Sequence, residues 1–153
     1  MIPISDINPA KSTPYITRFF IFFTVVVYII LQPKDSSDLF NFFYEFSAIP
    51  CEIQKGVPLS ANQFYSNNCM ANVDYVIFND KNIIFSLVTA NFLHANLLHL
   101  VGNLWSFWIF GNNIEDKLGI FKFNIFLIIA GAGSIGTHII LNYSDLNPIV
   151  GAS

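Results

Sequence analysis

Between Ile83 and Phe110 the sequence carries no formal charge, yet it holds His94, His99 and Asn103. Polar side chains inside an apolar run are costly and are functional candidates by default. His99 and Asn103 are four residues apart, so on a helix they share a face, about 40° apart. The structural alternative is that they only hydrogen-bond neighbouring helices. His94 precedes His99 by five residues, about 140° round a continuous helix. That places it at the mouth of the helix, off the stripe. Zinc fits poorly, because paired metal-binding histidines want i, i+4 spacing with a Glu beside the first. The chain ends on a second candidate, Gly151-Ala152-Ser153, preceded by Pro148. Pro148 breaks a preceding helix, and Gly151 allows a close approach or a backbone closed to other residues. A Ser opening a further helix has that helix's N-terminal dipole behind it, which favours developing negative charge. Nucleophilic serines need such donors near the attacked carbonyl oxygen. Gly133-Ser134-Ile135-Gly136 is not a nucleophile elbow, since position 132 is Ala and no strand precedes it.

The elements that must position these residues follow from composition. Of 153 residues, 54% are apolar and 11% charged, against about 25% charged in a soluble domain. A chain this short cannot hide that much apolar surface from water. High hydrophobicity excludes disorder. Seven Lys+Arg against ten Asp+Glu, with no basic block, exclude nucleic acid as a partner. The lipid bilayer is the solvent that fits, and the fold class is an all-α membrane protein. Spans are expected at about 15–31, 96–110 and 121–141, with a short turn over 111–120. Trp105 and Trp108 are expected to anchor the far end of the second span. No small-x-small cleavage site follows Leu31, so the first span reads as uncleaved. The third span carries Ala130/Ser134 and Ala132/Gly136, small pairs that let helices approach closely.

The long stretch 32–81 reads as an external loop. Within it Leu39, Phe42, Phe43 and Phe46 mark one helix face, suited equally to the membrane interface or to packing on the protein. Pro58 to Asn72 reads as exposed loop. Cys51 and Cys69 do not form a CxxC motif and can pair if the loop faces an oxidising compartment. Lys11, Arg18, Lys117 and Lys122 put the N-terminus and the 111–120 turn on the cytoplasmic side.

The ordered set His94-x4-His99-x3-Asn103, then Trp105 to Gly119, then Pro148-x2-Gly151-Ala152-Ser153 resembles the rhomboid family of intramembrane serine proteases. The opening Met1-Ile2-Pro3-Ile4, with Asn8-Pro9 and Pro14-x2-Thr17, looks like the start of many bacterial members. The resemblance implies a rhomboid-like bundle of six membrane helices, of which three complete ones are present and a fourth starts at Ser153. It implies a serine endopeptidase that hydrolyses peptide bonds in or near transmembrane segments of membrane-protein substrates, without cofactor or metal. It assigns the nucleophile to Ser153, oxyanion stabilisation to His99 and Asn103, and a supporting role to His94. A multi-pass protein of the bacterial plasma membrane, with a cytoplasmic N-terminus, is the expected setting.

The family's general base is a His in a later helix, and His138 is not at that position. Residues 1–153 are therefore expected to be the N-terminal part of one rhomboid-like domain, inactive as the truncated chain. The family's Trp-Arg loop pair is absent from 32–81. Glu115 matches a position read as structural, expected to meet backbone N–H groups where the third span begins. An inactive rhomboid-like protein that binds membrane clients is the alternative. A channel using His94, His99 and His138 as a proton path leaves Gly151-Ala152-Ser153 unexplained.

Overall fold

The computed structural model describes residues 10–151. Among these the regular elements are helical, joined by two isolated antiparallel bridges. Helix α1 (Tyr15–Val26) runs into one π-helical turn, Val27–Leu31. Helices α2 (Ser36–Phe46), α3 (Pro50–Lys55) and α4 (Ala61–Ser66) build the stretch after it. Helix α5 (Ile83–Thr89) ends in a 3₁₀ turn, Ala90–Phe92. The last helix, α6 (Leu97–Leu141), is 45 residues long and broken inside by Gly119, whose φ of 74° and ψ of 165° leave helical space.

Gly119 turns the chain back. Phe107 and Phe123 stack with ring centroids 6.4 Å apart, whereas a straight helix would separate them by roughly 24 Å. The two arms, 97–118 and 120–141, are each about 33 Å long at roughly 1.5 Å per residue. Such a backbone is essentially a glycine conformation. The expected 111–120 turn is thus corrected: residues 111–118 remain helical, and the reversal is confined to Gly119. Polar Asn112, Asn113, Glu115 and Asp116 suggested a loop, but Asn113 Nδ2 bonds the Ile109 carbonyl at 3.2 Å and Glu115 serves another helix. Trp105 and Trp108 consequently lie in the middle of the first arm, not at its far end.

Helix α1 packs on α6, antiparallel to the first arm. At one end Glu115, buried, accepts from the N–H groups of Ile16 (2.9 Å) and Thr17 (2.8 Å) and from the Thr17 hydroxyl (2.8 Å). These are the orphan donors of a helix N-terminus that Pro14, at the N-cap, cannot satisfy with a side chain. Glu115 therefore caps the first apolar helix and not the third, a correction that only tertiary contact reveals. Gly111 faces Thr17 so closely that an added Cβ would stand 3.1 Å from it. At the other end of α1, Gln32 reaches His94.

The stretch 32–82 is a folded module. Ser60 and Gln63 form a capping box that starts α4, where exposed loop was expected. Ser60 pairs with Val76, and Cys51 and Cys69 form a disulfide. Closing a loop of that length restricts the unfolded chain by roughly 3 kcal/mol. Glu52 and Lys81, both buried, form an ion pair at 2.5 Å. Glu52 also accepts from Leu59 N–H at 3.0 Å, and Lys81 donates to the Tyr44 carbonyl at 2.6 Å. Helix α2 meets the module through Tyr44, which lies off the expected apolar face and packs against Phe64 at 5.2 Å.

Outside the module, large apolar side chains stay exposed. Phe19, Phe22, Ile29 and Ile30 project from α1 and its π turn, and Leu98, Val101, Phe121, Ile128, Ile129 and Ile140 from α6. Helix α6 is long and apolar enough to cross a membrane, and Tyr15–Leu31 and Ile83–Phe92 are shorter apolar helices. Apolar helices with bare flanks are suited to lipid rather than water.

Candidate active site

Asn96 starts the first arm of α6 by accepting the His99 N–H at 2.9 Å. That cap fixes the rotation of the first turn, and with it the face that carries His99 and Asn103. Their one-turn spacing then sets them side by side on that face, as periodicity requires.

His94 sits before the cap in non-helical backbone. The expectation that it stands off the stripe holds only for a continuous helix. The chain arrives at Asn96 extended, and the imidazole folds onto the helix face. Its Nε2 lies 3.1 Å from Asn103 Nδ2, and its ring centroid 5.2 Å from that of His99. His94 Nδ1 lies 3.2 Å from the Phe92 carbonyl. A carbonyl can only accept, so Nδ1 carries the proton. Nε2 then accepts from the Asn103 amide, and the ring is neutral. The carboxamide is thereby oriented, with its nitrogen held toward the site.

Gln32 completes this support and was missed by sequence reasoning. Its Nε2 donates to the His94 carbonyl at 2.7 Å, and its Oε1 accepts the His94 N–H at 3.0 Å. Both amide ends of a buried side chain are satisfied by one residue's backbone. The π-helical turn positions Gln32, whose N–H bonds back to the Val27 carbonyl at 3.1 Å. An inserted residue in a helix is a common device at functional sites. The legible signal was a lone amide immediately after an apolar run.

The C-terminal segment closes on the same face. Gly151 has φ of 86° and donates its N–H to the Ala90 carbonyl at 2.9 Å. An added Cβ would stand 2.9 Å from His99 Cε1, 3.1 Å from His99 Nε2 and 3.3 Å from Asn103 Nδ2. Gly151 is therefore required twice, for its left-handed backbone and for its contact with the two side chains. His94, His99, Asn103 and Gly151 converge from three chain segments. Ser153, the expected nucleophile, lies outside the described residues. His138 is in the second arm of α6, where its carbonyl accepts from Asn142 N–H at 2.9 Å. No group of three metal-ligating side chains occurs among the described residues.

A convergent imidazole and carboxamide beside a glycine of left-handed backbone suits stabilisation of an oxyanion in acyl transfer. Residues 81–153 match the family model of the Rhomboid domain, a segment that includes His94, His99, Asn103 and Gly151. A curated relative, RHOMBOID-like protein 6, mitochondrial, from Arabidopsis thaliana, is 38% identical over 47 residues. That match covers 31% of this chain and 15% of the relative. No solved structure matches the chain. The Rhomboid-domain match and the apolar helices together indicate membrane association; the relative is a plant mitochondrial protein and lends no support to a bacterial setting.

Proposed function

We propose that this chain is the N-terminal part of an intramembrane serine endopeptidase. Its substrates are membrane proteins, cut in or near their transmembrane segments. The observation that carries the reading is the seating of Gly151 on His99 and Asn103. Ser153 follows by two residues in sequence, a reach of at most about 7 Å, and this short tether supports its assignment as the nucleophile.

In this reading Ser153 Oγ attacks the scissile carbonyl carbon and gives its proton to an imidazole in a later helix. The carbonyl oxygen becomes an oxyanion, held by His99, Asn103 and the Ser153 N–H. Collapse breaks the C–N bond, the imidazolium returns its proton to the leaving amine, and water hydrolyses the acyl-enzyme. Bulk water cannot solvate that oxyanion inside a membrane, so fixed donors replace it. His94 acts through Asn103 by holding its amide.

The membrane arrangement is part of the proposal. Tyr15–Leu31 and the two arms of α6 are three spans. Lys11, Arg18, Lys117 and Lys122 lie toward the Gly119 end, the cytoplasmic side. The disulfide-bearing module lies at the other end, where an oxidising compartment keeps cystine intact.

The test uses the full-length protein in liposomes with a transmembrane substrate. Ser153→Ala abolishes cleavage and labelling by a fluorophosphonate. Asn103→Ala lowers turnover by roughly 10²–10³ with little change in melting. Absence of Ser153 labelling in a folded protein that still retains membrane clients would instead establish the non-catalytic client-binding reading.

A further inference from the structure

We infer that the disulfide-closed module positions the segment that carries the proposed nucleophile, so that Ser47, Cys51 and Cys69 are positioning residues for the site. The inference rests on the peptidase reading and extends it to residues remote from the chemistry.

The segment 145–151 has little structure of its own. It is tied down at successive points, most of them supplied by the module. Cys51 N–H donates to the Asp145 carbonyl at 3.0 Å. Leu146 is buried in a cluster with Ile49, Cys51, Leu59 and Cys69. Ile149 N–H donates to the Ala48 carbonyl at 2.8 Å, and Ala48 and Ile149 form an antiparallel bridge. The Ser47 hydroxyl donates to the Ile149 carbonyl. Two residues on, Gly151 is pressed against His99 and Asn103. Residues 47–51 thus run alongside 145–149 as a short brace, and the register of that pairing sets where Gly151 lies.

A pairing of so few residues does not hold itself, since an isolated two-stranded contact is marginal in water. Its rigidity comes from behind. Cys51 is in the first turn of α3, cross-linked to Cys69, and its neighbour Glu52 is paired with Lys81. Ser47, Ala48, Ile49 and Cys51 are all fully buried. The sulfurs' residues are shielded from solvent, so the cross-link is a standing brace and not an exposed redox sensor. A serine nucleophile must be placed to a fraction of an ångström, and displacement by 1 Å can cost about 10² in rate.

The experiment compares full-length wild-type protein with Ser47→Ala and with the double variant Cys51→Ala/Cys69→Ala. Hydrogen exchange is followed by mass spectrometry on peptides covering 145–151, and cleavage of a transmembrane substrate is measured in parallel. Exchange at the Ile149 and Gly151 amides is expected to speed by about tenfold in both variants, as supported bonds open more often. Fluorophosphonate labelling and kcat are expected to fall at least tenfold, with KM within twofold. A merely structural role would lower the amount of folded protein and leave kcat per active site intact. Where the double variant fails to fold, Ser47→Ala decides alone. Unchanged exchange at 145–151, or unchanged kcat per folded molecule, overturns the inference. Because exchange needs no activity, an inactive wild-type protein would refute the peptidase reading and still let the brace be judged.

Discussion

Replacing Gly151 by alanine tests the geometry of the site most directly. The backbone there has φ of 86°, and an L-residue in left-handed space costs roughly 1–2 kcal/mol. The methyl group adds a second penalty. It would stand 2.9 Å from His99 Cε1, where carbon atoms ordinarily meet at about 3.5–4.0 Å. Either the imidazole or the 149–151 segment must therefore shift by roughly 0.6–1 Å. Asn103 Nδ2, at 3.3 Å, limits escape in its direction. Overpacking of this kind costs about 1–3 kcal/mol, and misplacement by such a distance lowers a positioned reaction by about 10²-fold. The assay is fluorophosphonate labelling of Ser153 and cleavage of a transmembrane substrate by the full-length variant, with thermal melting measured alongside. Labelling and turnover are expected to fall about 10²-fold while the protein stays folded at the assay temperature. A Gly151→Ala protein that labels and cleaves within twofold of wild type would refute the close approach on which the oxyanion argument depends.

Glu115→Ala leaves the Ile16 and Thr17 donors without their acceptor, and should lower stability by about 2–4 kcal/mol, read from unfolding in mild detergent. Gly119→Ala forces a non-glycine residue into the fold-back between the two arms of α6, and should cost about 1–3 kcal/mol; an unchanged melting temperature would contradict the reversal there. Glu52→Leu combined with Lys81→Met replaces the buried ion pair by apolar side chains and should leave stability unchanged or raise it by about 1–4 kcal/mol, read from thermal melting. The same pair predicts a pH dependence. Burial holds the Glu52 carboxyl above the usual carboxylate range, opposed in part by Lys81, and holds the Lys81 amine below its usual range, opposed in part by Glu52. The stability due to Glu52 is present at acid pH and lost as pH rises through its raised pKa; that due to Lys81 is present at alkaline pH and lost as pH falls through its lowered pKa. Melting followed from about pH 4.5 upward should therefore show a decline in wild type that the Leu/Met double variant lacks.

What could be read from residue order was whatever repeats locally. The apolar runs required lipid, because neither their length nor their lack of charge suits water. The one-turn interval between His99 and Asn103 put both on a single helix face, and the Asn96 cap leaves that face intact. Pro148 and Gly151 marked a break and a close approach, and Gly151 indeed meets both side chains. These readings needed only the period of a helix and the conformational limits of two residue types.

The rest was decided by partners far apart in the chain. Helical periodicity carried His94 away from Asn103, but a non-helical entry brings them to 3.1 Å. Polar residues at 112–116 looked like a turn, yet the helix continues, because Glu115 is consumed in capping a helix whose Ile16 N–H lies 99 residues earlier. Gln32 holds His94 across a separation of 62 residues, and Ala48 holds Ile149 through a bridge with no periodic signature of its own. Hydrogen-bonding demand is visible in a sequence as the presence of a donor or acceptor. Which partner satisfies it depends on which helix ends and loop segments the packed chain brings together, and that is settled only in three dimensions.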